Sequence, residues 1–107
     1  MRIECPKFKN ADGVEIYVVV GFHDYTISSK NPWLIEDVKY RLPRKKTWIS
    51  FMNEISDDYR YRAMSVHERD IKRHNDVLAF VGEEKVREAF EYAWQYIKPD
   101  VDKMLEI

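Results

Sequence analysis

Basic residues crowd into the middle of the chain and lie beside aromatic ones. From Val38 to Asn75 there are ten Lys/Arg against five Asp/Glu. Flexible cations next to flat aromatic rings suit a phosphate backbone and stacked bases. One alternative is a solvated hairpin whose charges protect an edge strand from aggregation. The pattern predicts contact with phosphate or nucleic acid, and the candidate residues are Lys39, Arg41, Arg44, Lys45, Lys46, Arg69, Lys72 and Arg73.

Acidic residues recur near the carboxyl end at helical spacing. From Asp76 to Ile107 there are four Lys/Arg against eight Asp/Glu. Within this stretch Glu84, Glu88 and Glu91 fall at i, i+4 and i+7, so like charges lie on neighbouring turns of a helix. The pattern predicts either a docking stripe for a basic partner or a plain solvated face with intervening cations.

Aromatic residues make up 14% of the chain, which is more than one small core usually needs. Trp side chains at a surface often act as anchors in protein interfaces. Trp33 and Trp48 are therefore candidate interface residues. On an exposed strand they would serve a homodimer equally well, so the sequence leaves the oligomeric state open.

Two histidines and an aspartate form a weak candidate for a metal site. His67, Asp70 and His74 fall on one arc of a predicted helix, where either imidazole could reach the carboxylate. Zinc normally needs a further ligand, and only His23 and Cys5 remain to supply it. A polar cluster at the rim of the core explains these residues without a metal, so we expect no metal and no cofactor.

Other signatures of catalysis are missing from the sequence. The three glycines form no phosphate-cradling loop, and there is no G-x-S-x-G motif. The single cysteine, Cys5, has no obvious base beside it and no partner for an internal disulfide. We therefore expect a non-enzymatic protein in the reducing cytosol. The amino terminus lacks the apolar stretch of a signal peptide, and no run is long enough to span a membrane, so no membrane contact is expected.

The amino-terminal third of the chain predicts a β-hairpin. Residues 2–9 and 14–22 have strand character, and Asn10–Gly13 between them is a turn signal. The second strand is dense in β-branched and aromatic residues, which is typical of a strand buried on both faces. Pro6 indicates that the first strand lies at an edge of the sheet.

The next stretch, residues 33–55, is open to two interpretations. Alternating apolar residues predict a second hairpin with strands 38–42 and 47–52 joined by a basic loop. The rival is a helix from Thr47, because Trp48, Met52 and Ile55 also fall at helical spacing.

The carboxyl half predicts helices. Ser65 and Glu68 fit a capping box, and Gly82 is a good stop, which predicts a helix over 66–81. An apolar stripe predicts a second helix over 83–98, and Pro99 should kink it or restart it as a third over 100–106. The whole is expected to be one α+β domain, 1–107, with an antiparallel sheet of three to five strands followed by two or three helices.

Two functions from different classes fit these observations. The first is a small cytosolic accessory protein that binds another protein through charged faces and aromatic anchors, such as an inhibitor or immunity-type partner of a nucleic-acid-handling enzyme. The second is a nucleic-acid-binding domain that uses the basic 39–46 hairpin and the cations of helix 66–81. The pI near 6.3 tells against the second, because dedicated nucleic-acid binders are usually basic overall.

Overall fold

A five-stranded antiparallel sheet followed by helices forms the part of the chain that the computed structural model describes, residues 2–22 and 33–105. The strands are β1 Arg2–Glu4, β2 Phe8–Lys9, β3 Glu15–Phe22, β4 Trp33–Arg41 and β5 Ile49–Ser50. The order of four of them is β1-β3-β4-β5. The fifth, β2, also pairs with β3, at the opposite end of that strand from β1. The helices in these ranges are α1 Phe51–Asp57, α2 Tyr59–Arg62, α3 Val66–Val81 and α4 Glu83–Leu105. The predicted α+β class is confirmed.

The amino-terminal hairpin is present, but its first strand is broken. β1 pairs with the end of β3 and β2 with its beginning, in the registers Arg2↔Gly21 and Phe8↔Ile16. Between them Pro6 offers no N–H to the ladder, so the predicted strand 2–9 becomes two short edge strands. The turn is closed by Asn10, whose side-chain oxygen accepts from two backbone N–H groups at 3.0 Å.

The stretch that was open to two interpretations contains both a hairpin and a helix. β4 is longer than the predicted strand 38–42, and β5 pairs with it only at Lys39↔Ser50 and Tyr40↔Ile49. The predicted strand 47–52 is too long because Ser50 caps α1, its hydroxyl accepting from the Asn53 N–H at 3.2 Å. The helix therefore begins at Phe51, four residues after Thr47.

The carboxyl half forms helices at the predicted positions, with one addition and one correction. α3 spans the predicted residues 66–81, and the short α2 was not predicted. Of the two outcomes expected at Pro99, the restart as a third helix over 100–106 is wrong, because α4 runs through Pro99 as one helix, Glu83–Leu105. Ile97 is fully buried just before the proline, and an ion pair of 2.5 Å between Lys98 and Asp102 bridges it. These contacts offset the backbone hydrogen bond that a proline removes.

The core lies between one face of the sheet and α4. Alternate residues of β3, namely Ile16, Val18 and Val20, are at most 1% exposed, as expected where side chains alternate between the two faces. They pack in one cluster with residues of α4 that form the predicted apolar stripe, Val86, Ala89, Ala93 and Ile97. Trp94, which follows Ala93 on this helix, lies at the margin of the stripe and is 37% exposed.

Candidate docking surface

The outer face of the sheet, opposite α4, carries an aromatic and cationic cluster centred on Trp48. The Tyr17 ring meets Trp48 edge to face, with centroids 4.9 Å apart. The Arg41 guanidinium lies 4.7 Å from the Trp48 ring centroid and the Lys7 ammonium 5.4 Å from it. Because these neighbours surround the indole, Trp48 anchors the loop before β5 to the sheet and offers little free face for a stacked base.

The cations of β4 within this face are neutralised by neighbouring carboxylates. Arg41 pairs with Glu15 across the β3–β4 ladder at 2.8 Å. Lys39 lies 3.4 Å from Asp37, which also accepts from the Ser50 hydroxyl at 2.8 Å. Two of the predicted phosphate-binding residues are thus held in ion pairs on the sheet.

The loop between β4 and β5 presents cations of a different kind. Arg44, Lys45 and Lys46 are exposed, and none of their side chains has an ion pair or hydrogen bond to the residues that the structure describes. Arg44 has a φ of 65°, a left-handed turn conformation that is uncommon for a residue other than glycine. The loop therefore holds unneutralised positive charge at the end of a hairpin.

Strand pairing brings further cations to the same end of the sheet. Lys9 on β2 faces Glu15 on β3, and Glu15 in turn faces Arg41 on β4. A Cβ on Gly13 would lie 3.7 Å from Pro43, so the first turn contacts the basic loop. We call this surface the basic end; its cations are Lys7, Lys9, Arg44, Lys45 and Lys46.

The predicted cations of α3 are bonded within the fold. Arg69 donates to the carbonyl oxygens of Tyr61 at 3.2 Å, Arg62 at 2.6 Å and Met64 at 3.1 Å, which caps the carboxyl end of α2. Arg73 donates to the Tyr61 hydroxyl at 3.0 Å. Likewise Lys72 pairs with Asp76 at 2.7 Å. Arg69 and Arg73 hold α2 against α3, and with Lys72 paired inside α3 this helix adds little free positive charge to the surface.

The acidic stripe of α4 is exposed but internally paired. Arg87 bridges Glu84 and Glu91, and Lys85 pairs with Glu88 at 3.1 Å. Each like-charge contact between turns is therefore relieved by a cation of the same helix. The stripe has less free charge for a basic partner than its sequence suggests.

The remaining predicted residues do not form a site. His67, Asp70 and His74 are all exposed, and Asp70 lies 3.6 Å from Arg73. In residues 2–22 and 33–105 no group of three potential ligands could hold a metal ion. The Trp33 backbone pairs with Phe22, and its side chain, like His23, lies outside the described part of the structure.

The Cys5 thiol is buried beneath α4. It donates to the Ala89 carbonyl oxygen at 3.4 Å. Burial raises its pKa to about 11, so the thiol is protonated at neutral pH and is a poor nucleophile.

Comparisons of the chain with known protein families, characterised proteins and solved structures give no match. Among the helices that the structure describes, none is long and apolar enough to cross a membrane.

Proposed function

We propose that the protein is a small non-enzymatic binding module that docks an acidic surface of another protein through the basic end. The observation that carries this proposal is that some of the predicted cations are neutralised within the fold and others are not. Those of β4 and α3 are paired or bonded inside the fold, whereas the side chains of Arg44, Lys45 and Lys46 have no partner among the described residues. Unneutralised charge gathered at one end of a sheet attracts and orients a partner of opposite sign.

A protein partner fits this surface better than nucleic acid. Arg41, Lys7 and Tyr17 contact the Trp48 ring, which leaves it little free face for base stacking. The basic end gathers five cations of the described residues, whereas duplex DNA binders commonly neutralise about 6–10 phosphates.

Nucleic-acid binding is the second candidate because the basic end gathers cations from two hairpins. Lys7 and Lys9 join the loop cations through strand register, and such a group can also hold a short stretch of phosphate backbone. The proposed cytosolic setting rests on the single, unpaired cysteine.

The decisive experiment compares two triple variants with equal change in charge. One replaces Arg44, Lys45 and Lys46 with Ala, and the control replaces Arg60, Arg62 and Lys103 with Ala, all of them exposed. Tagged proteins capture partners from host lysate, with and without nuclease treatment. We expect one protein to be retained by wild type and control, to survive nuclease, and to be lost from the loop variant.

Other outcomes separate the candidates. Captured material that disappears after nuclease treatment would replace the protein-binding proposal with nucleic-acid binding. Equal retention by the two triple variants would exclude the basic end as the interface. If the basic end is the interface, the purified protein and its partner should associate more slowly at higher ionic strength, because salt screens the attraction between exposed charges.

A further inference from the structure

An apolar pocket of about 260 Å³ opens between the β1–β2 edge and α4. Phe8 and Val18 from the sheet and Ala89 from α4 line its apolar part. It exists because Pro6 interrupts the edge strand, so the segment between β1 and β2 leaves a gap above the helix. Concave sites with apolar walls are where single large side chains of a partner are buried most favourably.

The polar groups beside the apolar part of the pocket already have hydrogen-bond partners within the protein. The Cys5 thiol is bonded to the Ala89 carbonyl, and the Tyr92 hydroxyl lies 3.3 Å from that of Tyr96. No buried side-chain nitrogen or oxygen among the described residues lacks a partner. An occupant therefore needs apolar surface rather than a polar group to match the walls.

Two lysines and one glutamate lie at the rim of the pocket, which continues into the basic end. Lys85 lies 5.2 Å from the Phe8 ring centroid and 3.1 Å from Glu88, the one acidic residue of the lining. Lys7 also lines the pocket, and its ammonium lies 5.4 Å from the Trp48 ring on the outer face of the sheet. The same lysine thus borders both the pocket and the basic end.

We propose that this pocket receives one aromatic or branched aliphatic side chain of the acidic partner, flanked in the partner's sequence by carboxylates. The inference rests on the proposed function and specifies what the partner presents. Lys7 and the loop cations attract the carboxylates, and Phe8, Val18 and Ala89 bury the apolar side chain. Such an anchor in a desolvated pocket supplies most of the affinity of an interface, whereas the surrounding charges supply rate and orientation.

Two blocked heptapeptides test the proposal. Both carry three Asp or Glu residues on each side of a central position, which is Trp in one and Ala in the other. Their affinities are measured by isothermal titration at two salt concentrations, and bound amides are mapped by NMR. We expect the Trp peptide to bind at least about tenfold more tightly, as one buried side chain allows. Amide shifts should cluster at 5–8 and 85–92.

Two variants of the protein locate the effect. Phe8→Ala removes one wall and should reduce the preference for the Trp peptide to less than about threefold. Ile71→Ala, which truncates a residue 50% exposed on α3, is the matched control and should leave the preference unchanged. Because Phe8→Ala could weaken the fold, the amide shifts of the wild-type protein provide the independent measurement.

The outcomes distinguish this inference from the proposed function. Equal, salt-dependent binding of both peptides without shifts at the pocket would overturn the anchor and retain the basic end. A Trp preference with affinity unchanged in the Arg44/Lys45/Lys46 triple-Ala variant would retain the anchor and overturn the role of the basic end. No binding at millimolar peptide would overturn the anchor. The anchor would also be overturned if sodium octanoate produced the amide shifts at the pocket at a lower concentration than the Trp peptide, because the site would then be one for a small amphiphile.

Discussion

At the scale of single residues, Tyr40 shows how one side chain joins three elements. Its hydroxyl donates to Glu54 of α1 at 2.5 Å, and its ring meets Phe80 of α3 edge to face at 5.3 Å. The hydrogen bond to Glu54, with a smaller contribution from burial, raises the pKa of Tyr40 to about 12. Ionisation of the hydroxyl would remove the donor and place two negative charges side by side.

This pair predicts a loss of stability at alkaline pH. The folded pKa lies above the ordinary value of 10, so the stabilisation is complete below pH 10 and is lost as pH rises towards 12. Tyr40→Phe should lower the free energy of unfolding at pH 8 by on the order of 1 kcal/mol and make it fall less steeply above pH 10. Urea denaturation at pH 8, 10 and 11 measures both effects. Tyr59→Phe, at a residue 77% exposed, is the control; an equal pH dependence in both variants would contradict the role of Glu54.

A charge pattern in the sequence does not determine which of its charged side chains remain available after folding. The sequence placed Lys39, Arg44 and Arg69 in one class of candidate phosphate ligands. In the structure Lys39 is ion-paired, the Arg44 side chain has no described partner, and Arg69 caps a helix. The difference depends on carboxylates and carbonyl oxygens that folding brings near. Residue type could be predicted from the sequence, whereas the availability of each charge could not.

At the scale of elements, boundaries were predictable where a local cap determines them. α3 begins after Ser65, whose hydroxyl accepts from the Glu68 N–H at 3.2 Å, and ends at Gly82 with a φ of 93°. The division at Pro99 was predicted wrongly because neighbouring contacts offset the local effect of a proline. Residues 33–55 remained ambiguous because strand and helix periodicities coexist there, and the Ser50 cap decides between them.

The junction of α2 and α3 gives a prediction at this scale. Arg69→Lys keeps the charge but loses the planar fork that reaches several carbonyl oxygens at once. We expect the free energy of unfolding to fall by about 1–2 kcal/mol in urea denaturation. Arg44→Lys is the same exchange at an exposed residue and should change it by less than about 0.5 kcal/mol. Equal stability of the two variants would show that the cap at α2 contributes nothing.

At the scale of the whole molecule, the pairing of strands brings together cations that are far apart in the sequence. Lys7 and Lys9 lie more than thirty residues before Arg44 in the chain, yet β2, β3 and β4 carry them to the same end of the sheet. Local patterns predicted the first hairpin and the basic loop separately. They could not predict their junction, because it depends on which strands are neighbours and in what register.

The molecule is also unevenly packed. Its Cα radius of gyration is 15.2 Å, against about 13 Å for a compact chain of this length. The apolar residues of α3 are buried only in its second half: Val77 is 4% exposed, whereas Val66 is 72% and Ile71 50% exposed. The first half of α3 therefore depends on its cap and on Arg69 and Arg73 rather than on the core.

This asymmetry predicts that the molecule opens from the α2–α3 end. Amides of residues 68–74 should exchange with solvent through local opening, whereas those of residues 16–20 and 86–97 should exchange only on global unfolding. Native-state hydrogen exchange by NMR should show protection at least about tenfold lower in the first group, or about 1.4 kcal/mol in opening free energy. Arg69→Lys should widen the difference by lowering protection at 68–74 more than at 86–97. Equal protection in the two groups would mean that α3 unfolds together with the core despite its exposed first half.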